Sequence, residues 1–375
     1  MPKSMIRIFG VVTMFRGRLV LSQVLLFVSA LTTVGFATLT QGLVNQGIEA
    51  GDPQTLLNVA VWMFVLAVIA GLCMAGAAAL AVFFSQGTSY MIRARLYKKL
   101  QTFSFANYDR FSTGRLMVNL NSDAINVRNG MLWALMLGLY APFMILCTLV
   151  LVIINTRELL WLLLVVIAVV LGAMFLLIPA VFRAYENRQK RLDDLNSALQ
   201  EDVTGIQVVK AFVREDYEIE RFSKRSDAMR VPAYGAAWRV AFLSPLLTGL
   251  GQLAMLSGVF VGGMQVLNNT GLNVGQVFAF TQYLSLTVAP LAMLAIVIPM
   301  VLRGDTSAER ILEVYDSDSV VQDQEGAQAL DPETVKGHIA FENVSFAFQR
   351  PDGELDAPVL KNIDLLIEPG QQVGF

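Results

Sequence analysis

Apolar residues in this chain fall into long, nearly unbroken runs, and polar residues are confined to the intervals between them. Six runs are long enough to cross a bilayer: residues 19–44, 57–84, 131–154, 159–182, 240–267 and 277–302. A hydrocarbon core of about 30 Å takes roughly 20 apolar residues in a helix. The pattern predicts six transmembrane helices. Basic residues ahead of the first run (Lys3, Arg7, Arg16, Arg18) imitate a secretory signal. A signal's apolar region is only about 7–15 residues, so the longer run here reads as a helix that stays in place. Residues 5–15 mix Ile, Phe, Val and Met with Arg, which suits a helix lying in the membrane interface.

The intervals differ in charge. Residues 45–54 hold Glu49 and Asp52 and no base, 155–158 hold a single base, Arg157, and 268–276 are uncharged. The intervals 85–130 and 183–239 are rich in Lys and Arg, several of them (Arg93, Arg95, Lys98, Arg183, Arg188, Arg239) close to the apolar runs. Basic residues accumulate on the cytoplasmic side of membrane proteins, which puts both long intervals and both termini there.

The long intervals keep a helical period. Ile92, Leu96, Leu100 and Phe103, then Leu192, Leu195, Leu199, Val203 and Ile206, recur at spacings of three and four. The spans are therefore expected to continue as helices beyond the bilayer, by roughly 30 Å if about 20 residues take part. Breaks are expected near 112–114 and 213–216, at the tips of these extensions. After the sixth run, residues 303–315 are polar and helix-like, and 316–336 form an acidic linker. An alternating pattern then predicts strands over 339–348, with one slip at Glu342 and Asn343, and over 363–367. Two or three strands in about 40 residues bury too little to fold alone, so this end reads as the beginning of a larger domain.

Composition agrees with a membrane location. Of 375 residues 55% are hydrophobic and 15% charged, and the net charge is -2. Soluble domains carry roughly 25% charged residues, and nothing here offers a nucleic-acid surface. Cys73 and Cys147 sit inside apolar runs as packing residues, and the lone His338 has no companion for a metal site. The interiors of the six runs are essentially free of Asp, Glu, Lys, Arg and His. Such charges are expensive in a bilayer and are kept for ion coupling, proton relays or voltage sensing. Their absence speaks against an ion-coupled carrier or a charge-lined channel. Energy for movement must then enter through the helical extensions.

Several segments resemble the ATP-binding cassette (ABC) exporters of the multidrug and lipid-flippase type. Phe-Ser-Thr-Gly-Arg-Leu at 111–116, followed by Asn-Ser-Asp at 121–123, is similar to the family's first coupling region. Leu-Gln-Glu-Asp-Val-Thr-Gly-Ile-Gln-Val-Val-Lys-Ala-Phe at 199–212 is similar to its second cytoplasmic loop. Ser-Ala-Glu-Arg-Ile-Leu-Glu-Val at 307–314 is similar to the helix leaving the last span. Phe-Glu-Asn-Val-Ser-Phe-Ala-Phe at 341–348 resembles the first strand of the cassette, and residues 359–370 the strand that runs into its phosphate loop.

The resemblance implies an all-α membrane domain of six helices with long cytoplasmic extensions, followed by a short β segment of an α/β nucleotide-binding domain. The expected divisions are an interfacial helix at 1–18, the membrane domain at 19–302, a linker at 303–336 and the incomplete start of the cassette at 337–375. It assigns coupling to Gly114, Asp123, Gly205, Lys210 and Phe212, and adenine stacking to Phe348, which on its own reads equally as a core residue of a small sheet. Gln252, Gln282 and Tyr283 would line the substrate cavity. ATP and Mg²⁺ serve the intact transporter. The residues through Phe375 carry no Gly-Lys-Ser/Thr phosphate loop, and the chain alone is not expected to hydrolyse ATP. Implied partners are the lipid bilayer of the cell membrane, a second half-transporter (identical or different), and a hydrophobic drug, lipid or peptide. The alternative is a non-catalytic membrane protein: a decayed fragment, or a subunit lending its spans to another. Gly258 and Gly262 have the small-xxx-small spacing of close helix packing, within one chain or between two.

Overall fold

The computed structural model describes residues 3–11, 16–269, 271–319, 335–347 and 356–374, with positions 321, 326, 327, 331 and 333 between them. Eleven helices are described: α1 (Lys3–Val11), α2 (Arg16–Gly42), α3 (Pro53–Leu100), α4 (Phe105–Arg110), α5 (Thr113–Val118), α6 (Ala124–Trp133), α7 (Tyr140–Asn155), α8 (Leu160–Thr204), α9 (Ile206–Ala211), α10 (Glu215–Leu267) and α11 (Val274–Asp316). Two strands follow, β1 (Ile339–Phe346) and β2 (Leu360–Ile367). Wider π-turns occupy Leu43–Glu49, Asn119–Asp123 and Ala134–Gly138 without ending the run of helix.

Six helical stretches are long and apolar enough to span a membrane: Gly17–Glu49, Pro53–Leu100, Thr113–Asn155, Arg157–Thr204, Glu215–Leu267 and Val274–Asp316. The chain is a multi-pass membrane protein. Each apolar run lies in one of these stretches, and each helical extension is unbroken; α3 has 48 residues and α10 has 53. Prolines 179, 232, 245, 290 and 299 lie inside helices. Neighbouring helices and local adjustments re-satisfy the backbone groups they free.

Contacts gather the chain into two compact units, Met1–Thr88 with Asn126–Asp305, and Ser89–Ile125 with Thr306–Phe375. The first unit holds the main apolar core, where Val34, Met144, Leu163, Phe280, Leu284 and Leu291 are closed off from solvent. Serine hydroxyls tie α2 to α3: Ser22 Oγ donates to the Ala77 carbonyl at 2.9 Å and Ser29 Oγ to Ala70 at 3.0 Å. The glycine pair at 258 and 262 serves packing within the chain. A Cβ on Gly258 would lie 2.8 Å from Leu284 Cδ1, and one on Gly262 2.8 Å from Val277 Cγ1, so both face α11. The amino-terminal helix is anchored to the body of the first unit. Met5 and Ile8 are buried, and the Met5 N–H donates to Asp305 at 2.8 Å. The Met5 sulfur covers a crossing where the Gly130 and Gly304 backbones nearly touch.

The second unit has a small core of Leu96, Leu100, Phe111, Leu116 and Val314. It also contains the antiparallel β1–β2 hairpin, where the predicted slip is found as a bulge. The pairs Ile339–Ile367 and Phe341–Leu365 are followed by Val344–Ile363 and Phe346–Leu360. One extra residue on each strand keeps apolar side chains opposite one another across an interrupted alternation. Asn343 and Asn362 absorb the extra residues with φ near +50°, a conformation asparagine tolerates better than most. The second strand begins at Leu360, earlier than its alternation predicts.

Candidate functional site

The sequence singles out two helical tips and one cluster within the spans. At the first tip, α3 ends at Leu100 and the chain turns through Thr102 and Phe103 into α4. Ser104 and Asn107 form a reciprocal capping box at the start of α4, and the Ser112 hydroxyl caps α5 by accepting from the Arg115 N–H. Gly114 is exposed, and a Cβ there would meet nothing within 4 Å. Its backbone needs no glycine for reasons within this chain.

Asp123 is held differently. Its carboxylate is 1% exposed and accepts a two-pronged bond from Arg310, with Nε at 3.1 Å and Nη2 closer. The same guanidinium donates to Ser307 Oγ at 3.0 Å. Arg115 pairs with Glu313, and the Asn107 side-chain amide donates to the Asp318 carbonyl at 2.9 Å. Phe111 is fully buried, with Phe103 stacked on it and the Arg110 and Arg115 guanidiniums 5.2 and 5.5 Å from its ring centre. Asp123 therefore acts as a brace between the first tip and the tail of α11. Arg310 and Phe111 were not singled out in sequence, although both lie inside the quoted motifs.

The second tip is nearly bare. α8 ends at Gly205, α9 covers six residues, and α10 begins at Glu215. Val213 turns the chain with φ 51°. Lys210 Nζ lies 3.0 Å from Glu215 on the surface. Arg221 ties α10 to the end of α8 through Glu201 at 2.8 Å and Asp202 at 3.7 Å. The apolar residues between these ion pairs are uncovered: Val208 is 61% exposed, Phe212 74% and Val213 80%.

Within the spans the three polar candidates separate. Gln252 is exposed on α10, and Gln282 is half-buried, donating to Thr40 Oγ1 at 3.2 Å. Tyr283 is fully buried, its hydroxyl 2.7 Å from Thr38 Oγ1. Toward the end of the same helices lies a clasp of uncharged amides that the sequence did not single out. Asn45 donates to Asn273 Oδ1 at 2.7 Å and accepts from the Gly275 N–H at 2.9 Å, while Gln276 donates to the Asn155 carbonyl at 2.7 Å. Gly275 is required there, because a Cβ would stand 2.5 Å from Asn45 Oδ1.

Phe348 lies outside the described residues. Among the described residues no group of three or more His, Cys, Asp or Glu is placed to hold a metal ion.

A sequence profile described as the ABC transporter transmembrane region matches residues 19–291. The chain is similar to an uncharacterized ABC transporter ATP-binding protein, YfiB of Bacillus subtilis, at 28% identity over 78% of this chain and 49% of the relative. It is also similar to the ATP-dependent lipid A-core flippases of Syntrophus aciditrophicus and Mannheimia succiniciproducens. Both are 24% identical, over 96% and 97% of this chain and 58% and 61% of theirs. The chain thus spans about half to three-fifths of the length of these relatives. With six spans, the order of the two tips and a match over most of its residues, the chain belongs to the ABC transporter transmembrane family.

Proposed function

We propose that this chain is the membrane-spanning part of an ATP-driven exporter. In this reading it pairs with a second half-transporter and moves a hydrophobic or amphipathic molecule by alternating access. Both termini face the cytoplasm of a cell-membrane protein, and paired ATP-binding domains push on the two helical tips. The observation that carries the reading is the second tip, where Phe212 and Val213 stand uncovered on a rigid helical pair tied by Arg221. Gly114, Gly205 and Lys210 belong to the same contact surfaces, Asp123 braces one of them, and Phe348 stacks on adenine. A lipid is the favoured cargo class, since relatives covering nearly this whole chain are lipid A-core flippases. Gln252 and Gln282 meet it in the cavity, and Tyr283 does so once its bond to Thr38 opens.

The test uses the transporter with its ATP-binding domains in proteoliposomes, following ATP hydrolysis and the transbilayer movement of a fluorescent lipid. Phe212→Ala is expected to keep most hydrolysis while losing most lipid movement. Equal retention of both would remove the coupling role, and a wild-type protein that moves no lipid with ATP would remove the cargo assignment.

A further inference from the structure

The charged ends of α8 and α10 carry an arrangement that transport does not require. Along α8 the apolar run ends at Phe182, and Arg183 is its first charge; on α10, Arg239 is the last charge before the apolar run resumes at Val240. The two helices are the most extensively packed pair in the fold. Both arginines line one groove of about 320 Å³, together with Asn187 and the small side chains of Ala180 and Ala184. That groove sits where hydrocarbon gives way to headgroups.

Both guanidiniums have donors to spare. Arg183 Nε donates only a long bond, 3.4 Å, to the Pro179 carbonyl, and Arg239 Nη1 donates to Gly235 at 3.1 Å. These are carbonyls of their own helices, and among the described residues neither arginine has a carboxylate within salt-bridge distance. The acid closest in sequence to Arg183, Glu186, is engaged with Lys190 at 3.0 Å. Gly235 leaves room for the second guanidinium, since a Cβ there would lie 3.2 Å from Arg239 Nη1. Two like charges sharing one groove at the edge of a low-dielectric layer repel each other, and an anion between them removes that cost. The planar fork of arginine fits two oxygens of a phosphate.

The surroundings select a lipid over a free ion. A neighbouring groove of about 380 Å³ is lined by Tyr185, Arg188, Arg230 and Tyr234, among others. Trp238 is 72% exposed and stacks with Phe242, 6.5 Å between ring centres. Exposed Trp and Tyr beside arginines at the end of a span are the anchors of a headgroup layer. The extra positive charge of Arg188 disfavours a zwitterionic headgroup with its own cation.

We propose that Arg183, Arg239 and Asn187 bind the phosphate of an anionic phospholipid at the basic ends of α8 and α10. This site rests on the membrane placement of the chain and not on the transport reading, so either can fail alone. The experiment is native mass spectrometry of the purified chain in detergent, titrated separately with dioleoyl phosphatidylglycerol, dioleoyl phosphatidylcholine and inorganic phosphate. The wild-type chain is expected to retain phosphatidylglycerol over phosphatidylcholine. The double substitution Arg183→Gln/Arg239→Gln is expected to lower phosphatidylglycerol affinity by about tenfold or more. Arg191→Gln/Arg225→Gln, which removes the same charge at a groove further along α8 and α10 and leaves the Glu186–Lys190 pair intact, should leave it unchanged. If the glutamine pair does not fold, Gly235→Val keeps both charges, crowds Arg239 and is expected to weaken the same lipid. Equal binding of the two lipids, equal loss in the Arg191/Arg225 control, or retained affinity in the groove variants would overturn the proposal. Displacement of the lipid by inorganic phosphate alone would mark a plain anion site and overturn it as well.

Discussion

The tips at 105–123 and 205–214 are built from similar parts, two short helices in the first and one in the second at the ends of long helices, and they finish differently. The first is complete within the chain: Phe111 is buried among Leu96, Leu100, Leu116 and Val314, and Arg310 grips Asp123. The second presents Val208, Phe212 and Val213 to solvent and is steadied by ion pairs behind them. The motifs in sequence look alike in kind, with a glycine, a charge and an aromatic residue in each. The difference teaches that an aromatic residue in a tip motif can be a keystone in one place and a contact surface in the other, and burial tells them apart.

Removing a keystone should give the largest effect. Arg310→Ala strands a carboxylate that is 1% exposed, whereas Asp123→Ala strands a guanidinium whose side chain is 42% exposed and can reach water. Breaking a buried pair from its costly side destabilises by about 3–5 kcal/mol. Arg310→Ala is therefore expected to lower the unfolding temperature in detergent more than Asp123→Ala, with the double variant recovering part of the loss. The reverse order would show that Asp123 is not the buried partner. Phe111→Ala belongs to the same range, about 3–5 kcal/mol for a buried aromatic.

Phe212→Ala is the matched contrast. An exposed side chain away from packing contributes within about 0.5 kcal/mol, so the melting curve of the chain should scarcely move. A fall as large as that of Phe111→Ala would mean that the second tip is packed after all. Between these extremes, Gly262→Val tests the packing of α10 against α11. The added side chain has Val277 Cγ1 only 2.8 Å from its first carbon, and overpacking of this kind costs about 1–3 kcal/mol. Reduced thermal stability without a change in oligomeric state is the expected outcome.

The smallest effect concerns a helix cap that lies outside both tips. Asp52 opens α3, and its carboxyl is held below the ordinary range first by the Thr55 hydroxyl and then by the Gln54 N–H. A carboxyl with a lowered folded pKa stabilises above its unfolded value, near about 3.9, and loses that contribution as pH falls through the lowered one. Amide exchange in the first turn of α3 is expected to quicken at the acid end of that window, and Asp52→Asn should abolish the pH dependence.

Much of the architecture was legible because single physical demands fixed it. A bilayer needs long apolar helices, so six runs gave six spans at nearly the expected positions. The three-and-four periodicity beyond them gave the helical extensions, and even the slip at Glu342 and Asn343 appeared as a bulge. The site was legible only as motif positions. Asp123 was visible as a member of a motif, but its partner lies 187 residues away, and no local pattern announces such a pair. The resemblance assigns Tyr283 to the cavity, and its hydroxyl contact with Thr38, from another helix, has no local pattern in the sequence.

The division follows from range. The sequence by itself determined location in a membrane, the number of spans, their helical continuation and the family, since each depends on composition or spacing within a few turns. Tertiary structure alone decided which tip is finished and which is bare, that Gly258 and Gly262 face α11, that Asn45, Asn273 and Gln276 close a clasp, and that Arg183 and Arg239 share a groove. Those outcomes depend on which side chains from distant segments come within bonding distance, and burial and charge take their meaning only from such neighbours.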